Sequence, residues 1–165
     1  MNPMLDVKTQ KNVSPDSTWP TLLDCATKEV FQIMVQTDLT AMPGTEAGTP
    51  TGDTTAMVGL AGALCGVLSI RCTSQTAGSI TGRMLGSTGP VNPSEVSDAI
   101  AEICNMVAGN FKAKITMLGD RCMLSVPTVI RGDDYEMVSI ADGEHIALCL
   151  GYDRAPIWIC LEVHT

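Results

Sequence analysis

A chain of 165 residues can bury a core without disulfide or metal staples, and it is short enough to form one domain. Its formal charge of -8, with only 10 Lys and Arg, excludes a nucleic-acid backbone as the main partner, because that affinity comes from cationic side chains. Apolar residues make up 45% but aromatics only 4%, so the core is predicted to rest on Leu, Ile, Val, Ala and 10 adaptable Met.

The 7 Cys, an odd number, are scattered among apolar neighbours and read as reduced, buried thiols. There is no CxxC pair, and His145 and His164 have no companion at ligand spacing, so no metal and no cofactor is expected on this chain. The start has no charged-then-apolar signal pattern. The longest apolar stretch, Met57 to Ile70, is broken by Gly59, Gly62 and Gly66 and is too short for a bilayer. A cytoplasmic protein without membrane contact is expected.

Residues 1–17 are polar and aperiodic and read as a flexible leader, with residues 18–165 forming a single domain. From Thr21 the apolar positions Leu22, Leu23, Ala26, Val30, Ile33 and Met34 recur at helical spacing, predicting a first helix that ends near Gln36. Met42 to Asp53 is dense in Gly, Pro and Thr and reads as a loop. Ala56 to Leu60 and Cys65 to Cys72 form a predicted hairpin, and a short helix follows from Gln75 to Leu85, ended by Gly86. Asn92-Pro93 is a strong helix start and opens a long helix from Pro93 to about Lys112. Beyond it lie five strand candidates: Ala113 to Leu118, Cys122 to Ile130, Tyr135 to Ala141, Glu144 to Leu150 and Pro156 to Val163. The predicted fold is α+β, a mostly antiparallel sheet packed against two long helices.

On a helical wheel, Val96, Ala99, Ile100, Ile103, Val107 and Phe111 share one side of the long helix, the stripe by which it buries itself. Asp98, Glu102, Asn105 and Gly109 stack along the opposite side, flanked by the small Ala101 and Ala108. Most polar stripes only solvate a helix. Asn, however, is a poor helix-interior residue, and its choice here asks for a reason.

The pattern Asp98-x3-Glu102-x2-Asn105, continuing through Met106 to Asn110, resembles the signature helix of the CheC, FliY and CheX phosphatases. The segment Cys122 to Gly132, followed by Asp134-Tyr135, is similar to the strand and turn after this helix in CheX-type members. The resemblance covers roughly Ala56 to the C-terminus. It implies removal of the phosphoryl group from the aspartate of a CheY-like receiver domain. Asn105 would orient the attacking water and Glu102 would pair with the receiver's active-site Lys. Asp98, Ala101, Ala108, Gly109 and Lys112 would contact the partner, and any Mg²⁺ would sit on the receiver's own carboxylates. The resemblance also implies a homodimer paired through the sheet. The final strand, with Ile157, Ile159 and Leu161 alternating with Trp158, Cys160 and Glu162, is the expected exposed edge.

The first helix offers Glu29-x2-Gln32, where the longer Gln displaces the amide and Cys25 stands in place of an acidic residue. It reads as a degenerate copy of the signature. The alternatives are a non-catalytic adaptor using the same helix, a switch-complex component of the FliY kind, and a hydrolase with its own nucleophile. The adaptor needs the docking Glu but not the Asn. The switch component would carry a further C-terminal domain, and no GxSxG or phosphate loop supports the hydrolase.

Overall fold

The computed structural model describes residues 13–42, 49–140 and 142–164. Their elements in chain order are α1 (Trp19–Met34), β1 (Thr40–Ala41), β2 (Thr54–Gly62), β3 (Cys65–Cys72), α2 (Ser74–Leu85), α3 (Pro93–Lys114), a single 3-10 turn (Gly119–Arg121), β4 (Cys122–Leu124), β5 (Thr128–Arg131), β6 (His145–Tyr152) and β7 (Ala155–His164). The fold is α+β, with every strand pair antiparallel. Strand order is β1-β6-β7-β3-β2-β4, with β5 also pairing β2, along Thr54 to Met57 where β4 takes Leu60 to Gly62.

Local chemistry sets the helix ends. Asn92 Oδ1 accepts the Glu95 N–H at 2.9 Å while Glu95 returns a carboxylate oxygen to the Asn92 N–H at 2.9 Å, a reciprocal capping box that starts α3. The Thr73 hydroxyl caps α2 by accepting the Thr76 N–H, and Gly86, at φ 62°, closes that helix in the left-handed region a side chain disfavours. α1 begins at Trp19, two residues before the expected start, because Asp16 accepts the Thr18 N–H at 2.8 Å and Pro20 occupies the first turn.

All three helices lie on one face of the sheet, with α3 central against α1, α2 and strands β2 to β5. The period of two along the strands builds the core. Leu68 pairs with Leu161 and Ile70 with Ile159 toward the helices, where they meet Ile103, Val107 and Phe111. Trp19 packs edge-on against Phe111 at 5.5 Å between ring centroids and locks α1 to α3. The opposite face carries Ser69 paired with Cys160, and Arg71 paired with Trp158.

Several expectations need correction. Ala113 to Leu118 is not a strand: α3 runs on to Lys114, and Ile115 and Leu118, at helical rather than alternate spacing, are buried in the turn that follows. Cys122 to Ile130 is two strands, because Pro127 has no N–H for a ladder and the Gly59 N–H is taken by Ser125 Oγ instead of a backbone carbonyl. Residues 135–140 form no strand. Val138 and Ile140 are exposed, so the alternation buries nothing, and the segment is tied to the open face by Tyr135 OH to Thr55 Oγ1 at 2.6 Å. The loop expected from Met42 to Asp53 includes residues 43–48, outside the described residues, and just before it Thr40–Ala41 form a strand the sequence did not reveal. Residues 1–12 of the expected leader are likewise outside the described residues. From Val13 the chain is held, its N–H donating to Ala63 O at 2.8 Å.

The final strand β7 is not an edge. It lies between β6 and β3, and this is why both of its faces are apolar.

Candidate active site

Twenty-two residues of α3 place Asp98, Glu102, Asn105 and Gly109 along one ridge. Asp98 and Glu102 are exposed, whereas Asn105 and Gly109 are half-buried. Val96, Ala99, Ile100, Ile103, Val107 and Phe111 are buried on the opposite side, as their spacing predicts. Among the described residues, the side chains of Asp98, Glu102 and Asn105 have no hydrogen-bond or ion-pair partner. A carboxylate and a carboxamide one helical turn apart are therefore free to engage an incoming molecule.

The flank of the ridge differs from the expectation. Ala108 is completely buried and joins Cys104 in the core, so it is not available to a partner. The cause is a second packing direction. Besides the sheet beneath it, α3 meets β4 and β5 along its side, which widens the apolar stripe past the single arc the wheel shows. Ala101 stays half-buried and open to approach. Lys112 is half-buried with its ammonium group on Cys122 O at 2.5 Å, so its first role is to tie α3 to β4.

The corresponding pair on α1 is built differently. Lys114 donates to Glu29 Oε1 at 2.9 Å and lies 2.8 Å from Oε2, while Asn110 Nδ2 donates to Oε2 at 2.8 Å. The Lys114 hydrogen bond, then those of Asn110 and Cys25, hold the Glu29 carboxyl down to about 2. Glu29 is consumed in joining α1 to α3, and its neighbour Gln32 stands exposed without it.

Concavities lie elsewhere. A cavity of about 240 Å³ on the open sheet face is lined by Arg71, His145, Cys160 and Glu162 among others, on the opposite side of the sheet from the ridge. Not all the thiols are buried as expected, since Cys25 and Cys65 are exposed; those that are buried are not poised as nucleophiles, because burial pushes Cys72 and Cys104 up to about 12 and Cys160 to about 11. Among the described residues, no group of three or more His, Cys, Asp or Glu is placed to hold a metal ion, and no helix is long and apolar enough to cross a membrane.

The family model described as chemotaxis phosphatase CheX matches residues 54–149, more than half of the chain. The chain belongs to the CheX family. That span holds α3 and its ridge together with β2 to β5. No curated protein matches the chain. Among solved structures, chemotaxis protein CheX from Vibrio vulnificus shares 22% identity over 92% of this chain and 100% of that one, at a TM-score of 0.76. CheX from Desulfovibrio desulfuricans shares 23%, covering 88% and 99%, at 0.75. A CheX-CheY-BeF3-Mg²⁺ complex from Borrelia burgdorferi matches at 19%, covering 89% and 98%, at 0.72. At these identities the likeness is one of fold, and it extends across α1 as well as the part the family model covers.

Proposed function

We propose that this chain hydrolyses the aspartyl phosphate of a CheY-like receiver domain docked on α3. The observation that carries the reading is the pairing of Glu102 and Asn105, one turn apart on an open ridge and without partners inside the described chain. Membership of a chemotaxis phosphatase family and the Borrelia CheX structure solved with CheY both support it.

In this reading Asn105 enters the receiver's site and fixes a water with both halves of its amide, donor and acceptor. The water oxygen bonds to phosphorus as the bond from phosphorus to the aspartate oxygen breaks. Inorganic phosphate leaves and the receiver's carboxylate is restored. The transition state is loose, so a neutral group that positions the water is enough, as with the water-orienting Gln of a GTPase. Glu102 pairs with the receiver's lysine and sets the register of the helix. The divalent ion that screens the phosphoryl oxygens belongs to the receiver's own carboxylates. Pairing of two copies into a homodimer and residence in the cytoplasm complete the reading.

The test is the decay of an acetyl-phosphate-charged receiver from the same genome with and without this protein. Wild type should shorten the lifetime, and Asn105→Ala should remove about 100-fold of that acceleration, or about 2.7 kcal/mol of barrier. Binding of the receiver without any acceleration would replace catalysis by an adaptor role. Full activity in Asn105→Ala would sink the water-orienting assignment.

A further inference from the structure

The segment between β4 and β5 runs antiparallel alongside α3. Lys112 holds Cys122 O, a side chain built on Gly109 would touch Leu124 Cδ1 at 3.9 Å, and Arg131 Nη1 donates to Pro93 O at 2.9 Å. The lengths agree. From Gly109 back to Pro93 the helix advances about 24 Å, and from Leu124 to Arg131 an extended chain covers about 23 Å. Asn105 lies about 6 Å along the helix from Gly109, and Val126 lies about 6.6 Å along the strand from Leu124. Along the helix axis Val126 therefore comes level with Asn105 and Pro127 with Glu102.

Val126 is 86% exposed, an apolar side chain at the summit of an arch. The arch is pinned beneath: Ser125 Oγ accepts the Gly59 N–H at 2.8 Å and donates to Val126 O at 3.0 Å, while the Ser125 N–H reaches Gly59 O at 2.9 Å. Pro127 fixes its own φ and biases Val126 before it toward extended backbone. A rigid apolar knob next to a charged and amide-bearing ridge has the make-up of an interface centre with a polar margin.

We propose that Val126, held by the Ser125 clamp and backed by Pro127, is the apolar docking contact for the receiver that Asn105 and Glu102 address. The inference rests on the function proposed above and assigns it a second wall, formed by the β4–β5 arch. α3 supplies the chemistry, and the arch sets how the receiver is seated on it.

The experiment compares Val126→Glu, Val126→Ile and the distant surface change Ile33→Glu in receiver dephosphorylation over a range of receiver concentrations. Val126→Glu should raise the half-saturating concentration on the order of tenfold, by burying an unpaired charge against the partner, with turnover at saturation unchanged. Ile33→Glu should behave as wild type, and Val126→Ile, which keeps the contact apolar, should raise the half-saturation far less than Val126→Glu. An unchanged half-saturation in Val126→Glu, with Asn105→Ala still inactive, overturns the docking contact and leaves the phosphatase reading standing. A fall in the solution mass of Val126→Glu from dimer to monomer overturns it too, since a second copy would then cover the knob. A wild-type protein that binds no receiver and shortens no lifetime overturns both.

Discussion

Glu29 on α1 grips Lys114 in the last turn of α3 through both carboxylate oxygens, at 2.8 and 2.9 Å. The Glu29 carboxyl is held at about 2 against an ordinary 4.5, and Lys114 is raised above its ordinary 10.5, each through the hydrogen bond to the other. A depressed carboxyl contributes stability that is fully present above its unfolded value and is lost as pH falls through its folded one. The window is therefore pH 4.5 down to about 2. Because the pair is half-buried at the surface, salt screens much of it and the effect on stability is small. Side-chain carboxyl NMR of Glu29 should give a midpoint near 2 that rises in Lys114→Ala. A wild-type midpoint at the ordinary 4.5 would show that the α1–α3 clasp does not form in solution.

Glu102 should act through docking. Glu102→Ala is expected to raise the half-saturating receiver concentration about tenfold, equivalent to about 1.4 kcal/mol, with a smaller loss at saturation. Because the attraction is between charges near the surface, the wild-type half-saturation should rise with added salt and that of Glu102→Ala should respond less. This salt response separates Glu102 from Val126, whose contact is apolar. Equal salt slopes in wild type and variant would take Glu102 out of the ion pair.

The ridge on α3 was legible in the sequence because helical spacing alone decides which side chains of α3 stand together. The capping residues Asn92, Pro93 and Glu95 marked its start, and Gly86 marked the end of α2, for equally local reasons. What needed the structure was everything set by neighbours distant in sequence. Two apolar faces on Ile157 to Leu161 fit an exposed edge seeking cover as well as a central strand, and only the pairing of β7 with both β6 and β3 decides between them. Tyr135 to Ile140 alternates like a strand, yet Met137, Val138 and Ile140 stay exposed and the segment forms no strand. Val126 belongs to the ridge only through the run of β4 and β5 past α3, which no spacing within α3 could announce.

Ala108 tests that lateral packing directly. Its side chain is fully buried where α3 meets the β4–β5 margin, so Ala108→Leu should overpack the contact and destabilise the fold by about 1–3 kcal/mol. The loss would be read as a lower urea midpoint at unchanged slope. Ala101→Leu, at a half-buried position on the same helix, should cost less stability and act instead on receiver binding. Equal stability of the Ala108 variant and wild type would mean that this side of α3 is open.

Pairing of two copies through the sheet would use β6, because β7 is internal. β6 pairs along its length with β7, but on its other side β1 meets it only at Leu150 and Gly151. Among the described residues, His145 to Cys149 therefore present an outer edge with no strand beside it. Such an edge invites another strand, and a second copy related by a two-fold axis can supply its own β6 antiparallel. Light scattering at dilute concentration should give a mass near twice 17.4 kDa. Ala147→Pro should reduce it toward the monomer, because proline removes an N–H and obstructs pairing where strands would meet. The ridge on α3 lies on the helical layer, away from this edge, so the monomeric variant should keep its turnover on the receiver. A wild-type mass at 17.4 kDa would exclude pairing through β6. A dimer untouched by Ala147→Pro would move the contact to another surface.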